Sequence, residues 1–180
     1  NAALTGRETV KVTGSDGNSV ELKAKNIVIA TGSQTAMIPG VSADGKKILT
    51  YQEAILQETC PKSVIIIGAG AIGIEFATVW NSYGADITIV EMLPRILPLE
   101  DEESSKELAK AFKKRRINML TGTRVLGVET TDSGVKVRVS NEDGEQTLEA
   151  EQALVAIGFK PNTRDIGLEA AGVEVTQRGF

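Results

Sequence analysis

The apolar residues of this chain fall in short runs whose period changes along the sequence. Val64-Ile65-Ile66-Ile67 is continuous, the mark of a strand buried on both faces, and it runs straight into Gly68-Ala69-Gly70-Ala71-Ile72-Gly73. Over Ala71–Tyr83 the period lengthens. Ile72, Phe76, Val79 and Trp80 share one face of a predicted helix, which stops at Gly84, a residue suited to a left-handed cap. Ala85–Val90 then alternates as a second strand that ends at Glu91. Downstream, Glu100-Asp101-Glu102-Glu103 precede a helix closing with Lys113-Lys114-Arg115-Arg116, acids first and bases last as the macrodipole favours. Ile117–Leu120 and Arg124–Glu129 read as further strands of the same sheet. Ile48–Glu58 reads as a short helix, and Gln34–Gly40, with Pro39-Gly40, as a crossing linker.

Two stretches share an order of elements. The first has Val10-Lys11-Val12, an Asp16-Gly17 turn, Glu21-Leu22-Lys23 and an apolar strand Asn26–Gly32. The second has Val135-Lys136-Val137, an Asp143-Gly144 turn, Leu148-Glu149-Ala150 and an apolar strand Ala153–Gly158. Each is a predicted hairpin followed by a strand ending in glycine. A repeat of this kind implies that a unit equivalent to the one from Ser63 onward precedes the first hairpin. The chain, which lacks an initiator Met, then reads as a piece of a longer protein with two dinucleotide sites.

Composition narrows the function. With 41% hydrophobic residues and a net charge of −4 over 180 residues, the chain is an ordinary globular sequence, mildly acidic and poorly suited to nucleic acid or anionic membrane. No apolar run approaches a membrane span and no secretory signal opens the chain. The basic run Lys113–Arg116 reads as a solvated helix end. Histidine is absent, and the one cysteine, Cys60, is expected to pack as a small apolar residue beside Pro61. Neither catalytic residues nor a metal site are expected within these residues.

Strand, glycine turn, helix, strand and acid in that order describe a Rossmann dinucleotide site. Gly68 serves the tight turn, Gly70 lets a pyrophosphate approach the backbone, and Gly73 lets the helix pack on its strand. The backbone N–H groups of Gly68, Ala69, Gly70, Ala71, Ile72 and Gly73 are the expected phosphate donors, and Glu91 the acceptor of the adenosine ribose hydroxyls. A carboxylate there accepts a charge-assisted bond worth roughly 1.5–3 kcal/mol, which a 2′-phosphate would replace with repulsion. NAD is therefore expected over NADP; Arg95 is the one nearby base that could favour the phosphate.

Four motifs in order resemble the flavin-dependent pyridine-nucleotide disulfide reductases, and most of all their dihydrolipoamide dehydrogenase branch. Ile29-Ala30-Thr31-Gly32-Ser33 is similar to the family's ATGS segment, and Gly68–Ala77 to its NAD fingerprint. Val90–Pro98 resembles its second-strand signature. Ala156–Thr163 resembles its GRxPNT motif, with Phe159-Lys160 in place of the commoner Arg-x. The resemblance implies that Thr31, Gly32 and Ser33 line an FAD. It also implies that Val125 touches the adenine, that Gly158 lies beside the nicotinamide, and that Glu75 pairs with a lysine elsewhere in the whole protein.

The fold implied is α/β, a Rossmann-like NAD domain with a parallel sheet and a β-meander over residues 39–160. Remnants of an FAD domain flank it at 1–38 and 161–180. For the whole protein the resemblance implies oxidation of protein-bound dihydrolipoamide through a redox disulfide and FAD, with NAD+ reduced. The implied partners are lipoyl-bearing subunits of 2-oxo acid dehydrogenase or glycine cleavage complexes, within a homodimer of the bacterial cytoplasm or an organelle matrix. Alternatives are another NAD(P)H-dependent disulfide reductase or NADH oxidase of the family, or an NAD-sensing domain without chemistry. The chain by itself is expected to be colourless, to bind NADH weakly and to turn nothing over.

Overall fold

A computed structural model describes all 180 residues. They divide into two compact units, Asn1–Gln34 with Phe159–Phe180, and Thr35–Gly158.

The first unit opens with strands β1 (Ala2–Gly6), β2 (Thr9–Thr13) and β3 (Ser19–Lys23), an antiparallel meander in that order. Its C-terminal segment returns to β1, where Leu4 N–H donates to Ile166 O at 2.7 Å. The strand expected over Asn26–Gly32 does not form: only Ser33–Thr35 (β4) is extended and paired, with β13 (Phe159–Pro161). Val28 is 87% exposed. An apolar run becomes a strand only where neighbouring strands accept its N–H and C=O groups, and no strand lies beside this one. The equivalent second-copy strand does have neighbours on both sides.

The second unit is built on a five-stranded parallel sheet. Its strands are β5 (Ile48–Leu49), β6 (Ser63–Ile67), β7 (Asp86–Val90), β8 (Asn118–Leu120) and β12 (Gln152–Val155), in spatial order β5-β12-β6-β7-β8. The expected helix over Ile48–Glu58 is split. Ile48 and Leu49 pair with Ala153 and Leu154, and only α1 (Tyr51–Ala54) is helical. Thr50 sets the boundary, because its hydroxyl accepts from Gln52 N–H while Glu53 reaches back to the Thr50 N–H at 2.8 Å.

The two faces of the sheet are covered differently. Val64, Ile66, Ile87, Ile89 and Leu154 pack under α2 (Ala71–Ser82) and α3 (Glu102–Lys114), against Ile74, Ala77, Trp80 and Phe112. Ile65, Ile67, Val90, Ala153 and Val155 face Val135, Val137 and Val139. Those valines belong to a second antiparallel meander, β9 (Arg124–Thr130), β10 (Val135–Asn141) and β11 (Gly144–Ala150). Successive residues of β6 therefore feed opposite layers, which explains an unbroken apolar run. Each fully buried isoleucine stabilises the unit by about 1.5–3 kcal/mol. Arg124–Glu129 thus lies in the meander and not in the parallel sheet, because its residues alternate between half-buried and exposed as a one-sided strand does.

Candidate nucleotide site

The carboxyl ends of β6, β7 and β12 converge on the glycine turn, and each glycine is there for a different reason. Gly68 has φ +106°, and a methyl on it would run into the Ala156 carbonyl. A methyl on Gly73 would collide with the Gly68 carbonyl and press on Ile66. Gly70 has ordinary extended torsions and nothing within 4 Å of where a Cβ would sit. It is the position where the chain leaves room for something else. Gly70 also caps α2, and no side chain caps the N–H groups of Ala71, Ile72 and Gly73 that open the helix. A helix start left bare in this way, beside open space, has the geometry that suits an anion.

Glu91 is 9% exposed and holds the turn in place. Its Oε2 accepts the Ala69 N–H at 2.8 Å and its Oε1 the Leu93 N–H at 2.8 Å. Its own backbone N–H donates to Leu120 O and its carbonyl accepts from Thr123, both at 2.9 Å. Gly68 N–H is likewise engaged, on Val90 O at 2.8 Å. Two of the six amides expected to face a phosphate are thus spent on β7 and its acid, which leaves those from Gly70 onward. Sequence position carries no signal of this structural role of Glu91, which depends on β6 and β7 lying side by side.

The loop after Glu91 folds back on Ala69. Leu97 donates its N–H to Ala69 O at 2.8 Å, from a left-handed conformation with φ 45°. Arg95 binds within that loop and beyond it, to Pro98 O at 3.2 Å and Glu100 O at 3.0 Å, with Glu102 Oε2 at 3.7 Å. Val125, half-buried in β9 opposite Val139, begins two residues after the Thr123 that is tied to Glu91. Gly158 follows β12 with φ +108°, open space around it, and its carbonyl accepting from Ala36 at 2.9 Å. Glu75 lies exposed on the second turn of α2 and makes no ion pair.

Thr31, Gly32 and Ser33 belong to the first unit, all three exposed, with Gly32 at φ +74°. Asn162 fixes the first two: its backbone N–H donates to Gly32 O at 3.0 Å and its side-chain amide to Thr31 O at 3.1 Å. The ATGS-like and PNT-like segments, recognisable separately in the sequence, are thus bonded to one another. Cys60 departs from expectation. It is exposed, its Sγ 3.5 Å from Pro61 O and 3.9 Å from Trp80 O. Partial burial of the sulfur, and then the Glu151 carboxylate, raise the thiol pKa above its ordinary value.

A family model described as pyridine nucleotide-disulphide oxidoreductase matches residues 2–180. The chain belongs to that family. Among its relatives, the dihydrolipoyl dehydrogenase of Mycobacterium tuberculosis is 47% identical over 170 residues, covering 94% of this chain and 36% of that protein. The dihydrolipoyl dehydrogenase of Chlorobaculum parvum is 44% identical over 180 residues, covering 99% of this chain and 38% of the relative. The chain therefore spans well under half the length of the curated relatives it matches. Among solved structures, LpdA from Mycobacterium tuberculosis superposes with a TM-score of 0.85 at 29% identity, over 100% of this chain and 39% of that one. The Cu(II) complex of the flavoprotein disulfide reductase RclA from Escherichia coli gives 0.80 at 25%, over 99% and 40%. No helix is long and apolar enough to cross a membrane.

Proposed function

We propose that Thr35–Gly158 is the NAD(H)-binding unit of a dihydrolipoyl dehydrogenase, and that the segments 1–34 and 159–180 belong to its FAD-binding part. The observation that carries the reading is the bare start of α2 beside the open space at Gly70, with a buried carboxylate at the end of the next strand. The amides of Gly70, Ala71, Ile72 and Gly73 would receive the diphosphate and the remaining lone pairs of Glu91 the adenosine ribose. Val125 would border the adenine and Gly158 the nicotinamide. Glu75, exposed and unpaired, would meet a lysine from the rest of the enzyme. Relatives that carry the dihydrolipoyl dehydrogenase name at 44–47% identity support the choice within the family.

Thr31 and Gly32, held by Asn162, together with Ser33 would line the FAD, which supplies two-electron transfer between thiols and nicotinamide when bound. In the whole enzyme a dihydrolipoyl dithiol loses two electrons and two protons to become the disulfide, and NAD+ gains a hydride with release of one proton. The chain itself contributes nucleotide binding and no redox pair. Lipoyl-bearing subunits and a bacterial cytoplasmic setting, supported by the names and bacterial sources of the relatives, and a homodimeric assembly complete the proposal. NADH titration followed by amide NMR tests it. The signals of Gly70–Gly73 are expected to move first, and no movement at millimolar NADH would refute the reading.

A further inference from the structure

The connection between Glu91 and α3 contains a single base, Arg95. It lies between two residues that grip the same residue of the turn, Glu91 on the Ala69 N–H and Leu97 on the Ala69 carbonyl. Its backbone is thereby anchored beside the glycine turn, four positions past the carboxylate assigned to the ribose. A guanidinium so placed is the natural partner for a sugar 2′-phosphate, which it can grip with paired N–H groups.

That guanidinium is occupied elsewhere. Nη2 donates to the Pro98 and Glu100 carbonyls, and Nη1 sits 3.7 Å from the Glu102 carboxylate in the first turn of α3. Of these three acceptors only Glu102 is charged. The Glu102 carboxylate, whose other oxygen is ion-paired with Lys106 at 2.7 Å, is the one negative charge on that side of the competition with a phosphate.

We propose that Glu102 is a specificity-determining residue for the nucleotide. It latches Arg95 to the start of α3 and withholds the loop's one cation from the ribose 2′ edge. Discrimination against NADP(H) then has two sources, repulsion by Glu91 and confinement of Arg95. The inference rests on the NAD(H) reading of this unit.

The test is the ratio of Kd for NADPH to Kd for NADH, measured by nucleotide fluorescence on the full chain. Glu102→Gln removes both charge and latch, whereas Glu102→Asp keeps the charge but shortens the reach. Each is expected to tighten NADPH about threefold, the scale of an exposed ion pair, with NADH unchanged. Adding Arg95→Gln to either variant is expected to return the ratio to its starting value. A shift with Gln but not with Asp, or one that persists without Arg95, would be a long-range charge effect and would overturn the latch. An unchanged ratio in both variants overturns it too, while leaving the NAD(H) site standing. Failure of the unaltered chain to bind either nucleotide removes the underlying reading and the latch with it.

Discussion

Glu91 and Ala69 are bonded across 22 residues, carboxylate to amide at 2.8 Å, inside a unit where both are buried. The acid proposed to select the sugar is therefore also part of the frame that shapes the phosphate turn. Glu91→Ala should lower the unfolding free energy by about 1–3 kcal/mol, the cost of leaving a buried N–H without an acceptor. Glu91→Gln keeps one oxygen and should lose less. Both should narrow the gap between NADH and NADPH. Denaturant melts alongside nucleotide titrations check the pair, and equal stability of the alanine variant and the parent would contradict the bond's structural role.

Two glycines three residues apart should respond in opposite ways. Gly73→Ala forces a methyl into the Gly68 carbonyl and should destabilise the unit strongly, whatever its effect on ligand. Gly70→Ala meets no protein atom and should melt normally, yet bind NADH at least tenfold more weakly, because its methyl fills the space assigned to the diphosphate. Normal NADH affinity in folded Gly70→Ala would move the phosphate site elsewhere.

Leu97 holds a left-handed backbone without being glycine. Such a residue costs roughly 1 kcal/mol, and only glycine removes that cost. Replacement by alanine loses the packing and keeps the strain; replacement by glycine loses the packing and relieves it. Leu97→Gly should accordingly be more stable than Leu97→Ala by about 1 kcal/mol in urea melts. The reverse order would show that the loop relaxes out of the left-handed region.

Acid should weaken the loop before β5. The Asp44 carboxyl is partly desolvated, which opposes ionisation. The N–H groups of Lys46, Ile48 and Lys47 outweigh this and hold its pKa below the ordinary aspartate value. Glu53 is held below its ordinary value by the Thr50 hydroxyl and backbone against a similar opposition. A depressed folded pKa contributes stability that is complete above the unfolded value near 4 and fades as pH falls through the folded one. Melting temperatures should therefore drop below about pH 4, and Asp44→Asn should flatten that drop while lowering stability at neutral pH. An identical acid profile for Asp44→Asn would show that Asp44 contributes nothing to it.

Much of this architecture is written into local patterns. Ile65, Ile66 and Ile67 announce a doubly covered strand, and the spacing of Ile72, Phe76 and Trp80 announces α2, because both signals depend on neighbours in sequence. The boundary at Thr50 was available too, since Thr50-Tyr51-Gln52-Glu53 has the spacing of a capping box, yet it is overshadowed by the apolar residues around it. The unpaired state of Asn26–Gly32 could not be read from its own residues, since strand formation there depends on what lies alongside. The double attachment of Glu91, the confinement of Arg95 and the bond from Asn162 to Thr31 all join residues brought together only by the folded chain. Motifs point to the candidate site, whereas its internal wiring required coordinates.

The anchoring of both Glu91 oxygens has a consequence for how a nucleotide is received. With one amide already on each oxygen, the carboxylate cannot spin, and its free lone pairs point in fixed directions before any sugar arrives. A ribose docked there as proposed would freeze no side-chain rotation, so its hydroxyls would meet an acceptor already at rest.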